Sequence, residues 1–381
     1  MAAKHRSFYD YDPILLISVL LLVGIGLVAV YSASSILAEA RFGDHYFYLK
    51  RQVVFCLFGI LLMIAAKNIN YLIYRKLVYV FLGLSLLLLV LLLIPGLGFK
   101  VGGAQRWFRF GFISLQPSEA AKLSLAVFMA YSMSKNVDQM KTFMNGLLPH
   151  LLVGSVFVAL ILLQPDLGTA VIIGVWMLVL LFVGGVHLGQ LVLLLGLTTP
   201  IVFYLISQSA YRLNRWWAFL NPWEDPQGFG FQIIHSFLAF GSGGLFGVGL
   251  GNSKQKLFYL PEPHTDFVAA IIAEEAGFIG ISILTILFAL IVIRGIMIAL
   301  KAPELFGTYL ALAISCMLAV QVVVNMGVVM ALLPTKGLTL PFVSYGGSSL
   351  VISLLGMGIL MNISRRALGG NPASARGQSF K

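Results

Sequence analysis

Charge is what this chain of 381 residues has least of: only 10% of its residues are Asp, Glu, Lys or Arg, against about 25% in a soluble domain. With 59% hydrophobic residues, that scarcity excludes a soluble enzyme and a disordered protein. Cysteine is scarce too. Cys56 and Cys316 are the two present, and both sit in apolar runs, which excludes a disulfide framework and any cysteine-based metal spacing. The sequence has no G-x-x-x-x-G-K-[ST] loop, and the glycine-rich stretch 241–251 lacks the lysine that such a loop needs. No long polar segment leaves room for a cytosolic nucleotide-binding domain. An ATP-driven pump and an enzyme fed by a cytosolic nucleotide sugar are therefore disfavoured. The internal repeat of many transporters is also missing. The net charge of +11 then reads as an orientation signal, and no nucleic-acid partner is expected.

What is present is a series of long apolar runs. Pro13–Ala38 has 26 charge-free residues and Leu77–Phe99 has 23, where a membrane-crossing helix needs about 20. Leu167–Tyr211, with 45, is long enough for two crossings. The run after Lys4 and Arg6 is too long for a secretion signal and reads as a retained first helix. The pattern predicts an all-α polytopic membrane protein of about ten transmembrane helices. They form a single domain over 1–364, followed by a disordered tail over 365–381. A long connection, roughly 207–265, joins the seventh and eighth helices. Basic residues split 13 and 12 between the two sides and acidic ones 4 and 10, which gives +9 and +2, and the loops on the +9 side are the shorter ones. By the positive-inside rule both termini are cytoplasmic and the long connection is extracytoplasmic.

Ionisable groups at membrane depth are costly and default to functional candidates. The segment Pro261-Glu262-Pro263-His264-Thr265-Asp266-Phe267 precedes the eighth helix, with Glu274 and Glu275 behind it. Asp266 fits two roles: a helix N-terminal anion, or a general base whose proton affinity is raised by a low-dielectric wall. His264 has no second ligand at metal spacing and reads as a supporting contact. Arg106 and Arg109, three apart around aromatics, suit either an interfacial belt or bidentate binding of a phosphate. Glu119 and Lys122 stand i,i+3 and are expected to pair. Gln164 and Asp166 lie in a polar break between two crossings, which is tolerated where protein buries it or a wet cavity is lined. Lys336 is followed by the polar run with Ser344 and Tyr345, again as in a lined cavity. Gln321 and Asn325 read as a helix–helix hydrogen-bonding pair.

At these same residues the sequence resembles the SEDS family of membrane peptidoglycan polymerases. The resemblance runs over nearly the whole chain and is carried by Gly103–Trp107, Gln116–Lys122, Gln164–Thr169, Leu260–Phe267 with Glu274-Glu275, and Pro334–Ser349. Residues 246–260 and 335–341 look like the division branch rather than the elongation branch. Pro263 departs from the family pattern, at a loop position. The resemblance implies ten crossings with both termini cytoplasmic. It implies a glycosyltransferase acting on lipid II, the undecaprenyl-pyrophosphate-linked precursor, at the outer face of the cytoplasmic membrane during septal cell-wall synthesis. A class B penicillin-binding protein and other divisome proteins would be its partners, with membrane lipid around it. Asp266 matches the family's catalytic aspartate. The expected reaction is an inverting displacement, with Arg106, Arg109, Lys122 or Lys336 offsetting charge on the departing pyrophosphate and Glu119 orienting Lys122. A divalent cation, Mg or Mn, can assist such a leaving group, although no dedicated metal site is visible. The rival expectations are a flippase or exporter of an undecaprenyl-linked lipid, the elongation-branch polymerase, and a non-catalytic scaffold.

Overall fold

The computed structural model describes residues 11–101, 104–111, 113–256 and 263–369. Residues 1–10, 102–103, 112, 257–262 and 370–381 lie outside it, and with them Lys4, Arg6, Gly103, the Leu260–Glu262 part of the family motif and most of the expected tail.

Thirteen α-helices build the described chain: α1 Pro13–Phe42, α2 Phe47–Asn68, α3 Leu72–Lys76, α4 Val78–Leu91, α5 Pro117–Lys135, α6 Leu148–Leu163, α7 Leu167–Val183, α8 Leu188–Ser207, α9 Ala210–Leu220, α10 Phe231–Gly243, α11 Val268–Lys301, α12 Leu305–Val329 and α13 Gly347–Gly369. Their starts follow local chemistry. Asp12 accepts from the Leu15 amide at 3.1 Å and Pro13 occupies the first turn of α1, where a missing N–H costs nothing. Pro117 opens α5 in the same way. Asp166 caps α7 through the Thr169 amide at 3.1 Å and hydroxyl at 2.8 Å.

Seven helices among the described residues are long and apolar enough to cross a membrane: α1, α2, α6 with the π-turn before it, α8, α11, α12 and α13. The apolar α4 and α7 are shorter. α5 carries Glu119 and Lys122 and is buried along most of its length. The chain is a helical multi-pass membrane protein, and ten crossings require α4, α5 and α7 to be counted with the seven. α13 runs to Gly369, so Arg365 and Arg366 belong to a helix rather than to a tail. The connection from 207 to 265 is not structureless: it holds α9, α10 and a short 3-10 turn.

α12 lies between α11 and α5, α13 packs along α2, and α1 packs on α11. At the end where α1 begins, Arg294 of α11 donates to Asp12 at 2.7 Å, and the Asp12 amide donates to Ser364 of α13 at 2.9 Å. α8 stands apart. Leu191 is its one buried residue.

A small antiparallel sheet interrupts the helices. Strands β1 Phe99–Val101, β2 Ala104–Phe110 and β3 Ile113–Leu115 run in the order β1-β2-β3. It is tied to α13, where Ser348 donates to the Ser114 carbonyl at 2.9 Å and accepts from the Gln116 amide at 3.0 Å.

Candidate active site

The helix directions bring the starts of α5, α7 and α11, the strand β2 and the segment 331–346 to one end of the bundle. Asp266 sits in the turn 263–267 just before α11, half-buried. Asn325 of α12 fixes its backbone: the amide nitrogen donates to the Asp266 carbonyl at 3.2 Å and to the Leu338 carbonyl at 2.5 Å. Gln321, one turn away on α12, donates to the Thr339 carbonyl at 3.1 Å. The expected helix–helix pair therefore also holds two loops. The side chain of Asp266 lies against Gly337, where a methyl group would approach Oδ2 to 3.0 Å.

Lys336, the next residue, runs over Gly168 at the start of α7, and any side chain at 168 would collide with it. Part of the lysine stem is exposed, but its ammonium nitrogen is shielded and finds no hydrogen-bond partner among the described residues. Burial pushes its pKa down to about 7, against the pull of Asp166 and Asp266 and with the push of Lys122 and Arg106. A buried amine without a hydrogen-bond partner is expensive.

Around it stand the other cations. Lys122 pairs with Glu119 at 2.8 Å, both side chains buried, and donates to Gln321 at 3.1 Å. Arg106 donates to the carbonyls of Gln164 at 3.3 Å and Pro165 at 2.5 Å, and stands 3.9 Å from Asp166. Arg106 thus clamps the polar break between α6 and α7.

The structure does not bring Arg109 to this place. The two arginines are three apart on β2, and an odd offset on a strand puts side chains on opposite faces. Arg109 instead stacks over Phe99 at 4.9 Å and lines a separate groove of about 370 Å³ with Gly96 and Gly111. Gln164 is present through its backbone carbonyl alone, because its side chain turns away to donate to Leu89 of α4 at 3.0 Å. Ser344 accepts from the Leu340 amide at 2.8 Å and closes a turn. Tyr345 donates its amide to the His264 carbonyl at 2.8 Å. His264 is buried, with its ring 4.3 Å from that of Tyr48 and 5.4 Å from that of Tyr345. Burial, then the nearby Arg41, holds its pKa down to about 4, so it is a neutral wall group at pH 7.

Sequence reasoning missed Tyr48 and Gln52 of α2. Gln52 donates to the Ser344 carbonyl at 3.1 Å. A glutamine next to Arg51 reads as an interfacial residue, and only its zero exposure reveals otherwise. Among the described residues no three His, Cys, Asp or Glu side chains converge as metal ligands. Glu119 and Asp166 are already engaged with Lys122 and Thr169. These groups form no ready-made cage for a divalent ion among the described residues.

The sequence and the fold have counterparts. The FtsW, RodA and SpoVE model of cell cycle proteins matches residues 13–368. The chain belongs to this family. Among its relatives is a probable peptidoglycan glycosyltransferase FtsW from Trichlorobacter lovleyi, 48% identical over 364 residues, covering 95% of each chain. Another is stage V sporulation protein E of Bacillus subtilis, 45% identical, covering 93% of this chain and 97% of that one. Among solved structures, a chain from a peptidoglycan synthase complex that coordinates polymerization and crosslinking superposes with a TM-score of 0.78. It is 33% identical and covers 93% of this chain and 98% of its own. The rod shape determining protein RodA of Thermus thermophilus gives 0.70 at 32% identity, covering 94% and 98%.

Proposed function

We propose that the chain is a peptidoglycan glycosyltransferase that polymerises lipid II at the outer face of the cytoplasmic membrane during septal synthesis. The observation that carries this reading is the neighbourhood of Asp266 and Lys336. The Lys336 ammonium, which has no hydrogen-bond partner among the described residues, lies near the Asp266 carboxylate, with Arg106 and Lys122 adding to the positive field there. The family membership and the names of the relatives support the same activity.

In this reading Asp266 takes the proton from the acceptor sugar hydroxyl as its oxygen attacks the anomeric carbon of the donor. The new bond is β, and the bond from that carbon to the α-linked pyrophosphate breaks on the opposite face, a single inverting displacement. Lys336 meets the departing pyrophosphate, and Arg106 and Lys122 add to the positive field there. Glu119 keeps Lys122 aimed, and Asp166 keeps α7 started under Lys336. Asn325 and Gln321 hold the base and the cation loop in one frame, which is where orientation contributes most to rate. Arg109 has no step in this scheme. Both termini are cytoplasmic, and the partners are a class B penicillin-binding protein that cross-links the product and the other divisome proteins.

The test uses the full chain in nanodiscs with its penicillin-binding partner and labelled lipid II. Glycan strands should form, and Asp266→Ala should abolish them while the protein stays monodisperse. Strands of normal length from that variant would remove Asp266 from the mechanism. Lipid II translocation in vesicles that persists in Asp266→Asn without any polymer would favour a flippase instead.

A further inference from the structure

A second set of buried acids lies on α11 below Asp266, outside the chemistry described above. α11 is broken at Gly277, whose φ of 65° and ψ of −162° belong to glycine alone. A broken helix exposes two carbonyls and two amides to the membrane interior, where each needs a partner. The segment 244–249 supplies all four. The Val248 and Gly249 amides donate to the Glu274 and Glu275 carbonyls at 3.0 and 3.1 Å, and Phe278 and Ile279 donate to Gly244 and Leu245 at 2.9 and 3.2 Å. A methyl group at Gly277 would press on the Leu245 carbonyl oxygen at 2.6 Å. The loop is thus stitched into the helix.

The side chains at the break complete the attachment. Glu274 accepts from the Lys254 amide at 3.0 Å, the Gln255 amide at 3.3 Å, the Ser242 hydroxyl at 3.4 Å and the Ser253 hydroxyl. Glu275 accepts from Lys256 at 3.0 Å and from Ser32 of α1 at 2.6 and 2.8 Å, and Lys256 donates to Ser32 at 3.2 Å. Lys256 is 7% exposed and Glu275 4%. Gly244, Gly247, Gly249 and Gly251 all have positive φ, so the segment has little conformational preference of its own and loses much entropy when fixed. A buried ion pair adds little net stability over an apolar pair of the same volume, but it can single out one arrangement.

We propose that Lys256, Glu275 and Ser32, with Glu274, are positioning residues that lock the break in α11 and with it the helix start that carries Asp266. Lys256 and Pro263 are separated by six residues. The chain up to Lys256 is therefore latched to α11 by Glu274 and Glu275, and Asn325 of α12 holds the Asp266 carbonyl itself. This rests on the polymerase reading above.

The experiment replaces Cys56 and Cys316 with Ala and introduces Lys256→Cys with Glu275→Cys, so that one protein can be assayed open or bridged by dibromobimane. Open, it should polymerise lipid II about 100-fold more slowly, the scale of a small misplacement of a reacting group, with the lipid II KM nearly unchanged. Bridging should restore kcat most of the way to the parent value. Open protein as fast as the parent, or bridged protein that is folded yet slow, overturns the proposal. Glu275→Gln serves as a second variant, followed by hydrogen exchange: the Val248 and Gly249 amides should lose protection as kcat falls. Loss of protection with kcat unchanged also overturns it. Failure of the polymerase reading looks different, because then the parent itself makes no strands while those amides stay protected.

Discussion

Two lysine–carboxylate neighbourhoods sit on either side of the first turns of α11, and they are solved in opposite ways. Lys256 and Glu275 are closed on each other, with Ser32 completing the set. Lys336 lies beside Asp266 and Asp166 and makes no hydrogen bond among the described residues. The same residue types at similar depth do different work. Where every donor and acceptor is matched within the protein, the pair fixes the chain. Where the ammonium is left without a partner, the site keeps its binding capacity for something else.

The comparison breaks most sharply at Asp266. Asp266→Asn should lower lipid II polymerisation by about 10³-fold or more, in line with loss of a general base, with unchanged thermal unfolding in detergent. Loss of a comparable factor of stability would instead move Asp266 to the closed class. Next come the buried partners. Glu119→Ala leaves Lys122 uncompensated and should cost about 3–5 kcal/mol, read as a drop in Tm. Removing both charges, Glu119→Leu with Lys122→Met, should return most of that stability but not activity.

Lys336 gives the pH test. It is charged below about 7 and neutral above, so its attraction for a pyrophosphate fades as pH rises through that value. The lipid II KM should therefore climb by about tenfold or less between pH 6.5 and 8.5, the scale of one charge-assisted contact. Lys336→Arg should flatten the climb, because a guanidinium does not titrate there. A flat profile in the parent would place the ammonium outside substrate contact. The two arginines of β2 sharpen the contrast further: Arg106→Ala should raise KM or lower kcat, and Arg109→Ala should leave both near parent values in the polymerisation assay. The smallest effect is expected at the far end, where Asp12→Asn weakens the contact with Arg294. It should cost about 1 kcal/mol, as partly exposed pairs do, with no change in polymerisation.

Much of this was legible in the sequence because membranes punish charge. With so few ionisable residues, Glu119, Lys122, Asp166, Asp266 and Lys336 could be found by their cost alone, and the structure gathers them at one end of the bundle. The charge-free runs that begin at Pro13 and Leu167 start where α1 and α7 start. What stayed hidden needed tertiary information. The spacing of Arg106 and Arg109 carries no mark of period 2 against 3.6, so their separation became visible only with the strand. Gly277 looks like any glycine in an apolar helix, and nothing local tells that its break is filled by residues some 30 positions earlier. Gln164 stood in the right place by sequence, but it serves through its carbonyl, which no side-chain pattern can reveal.

α8 carries a last consequence. A helix with one buried residue among its 20 leaves most of its surface to the surroundings, which for a membrane-spanning segment are acyl chains. Its tilt is then set by hydrocarbon thickness and by its anchor through α9, rather than by packing. The bilayer is in that sense a structural component of this protein, and moving the chain into short-chain detergent amounts to a substitution along a whole face of α8.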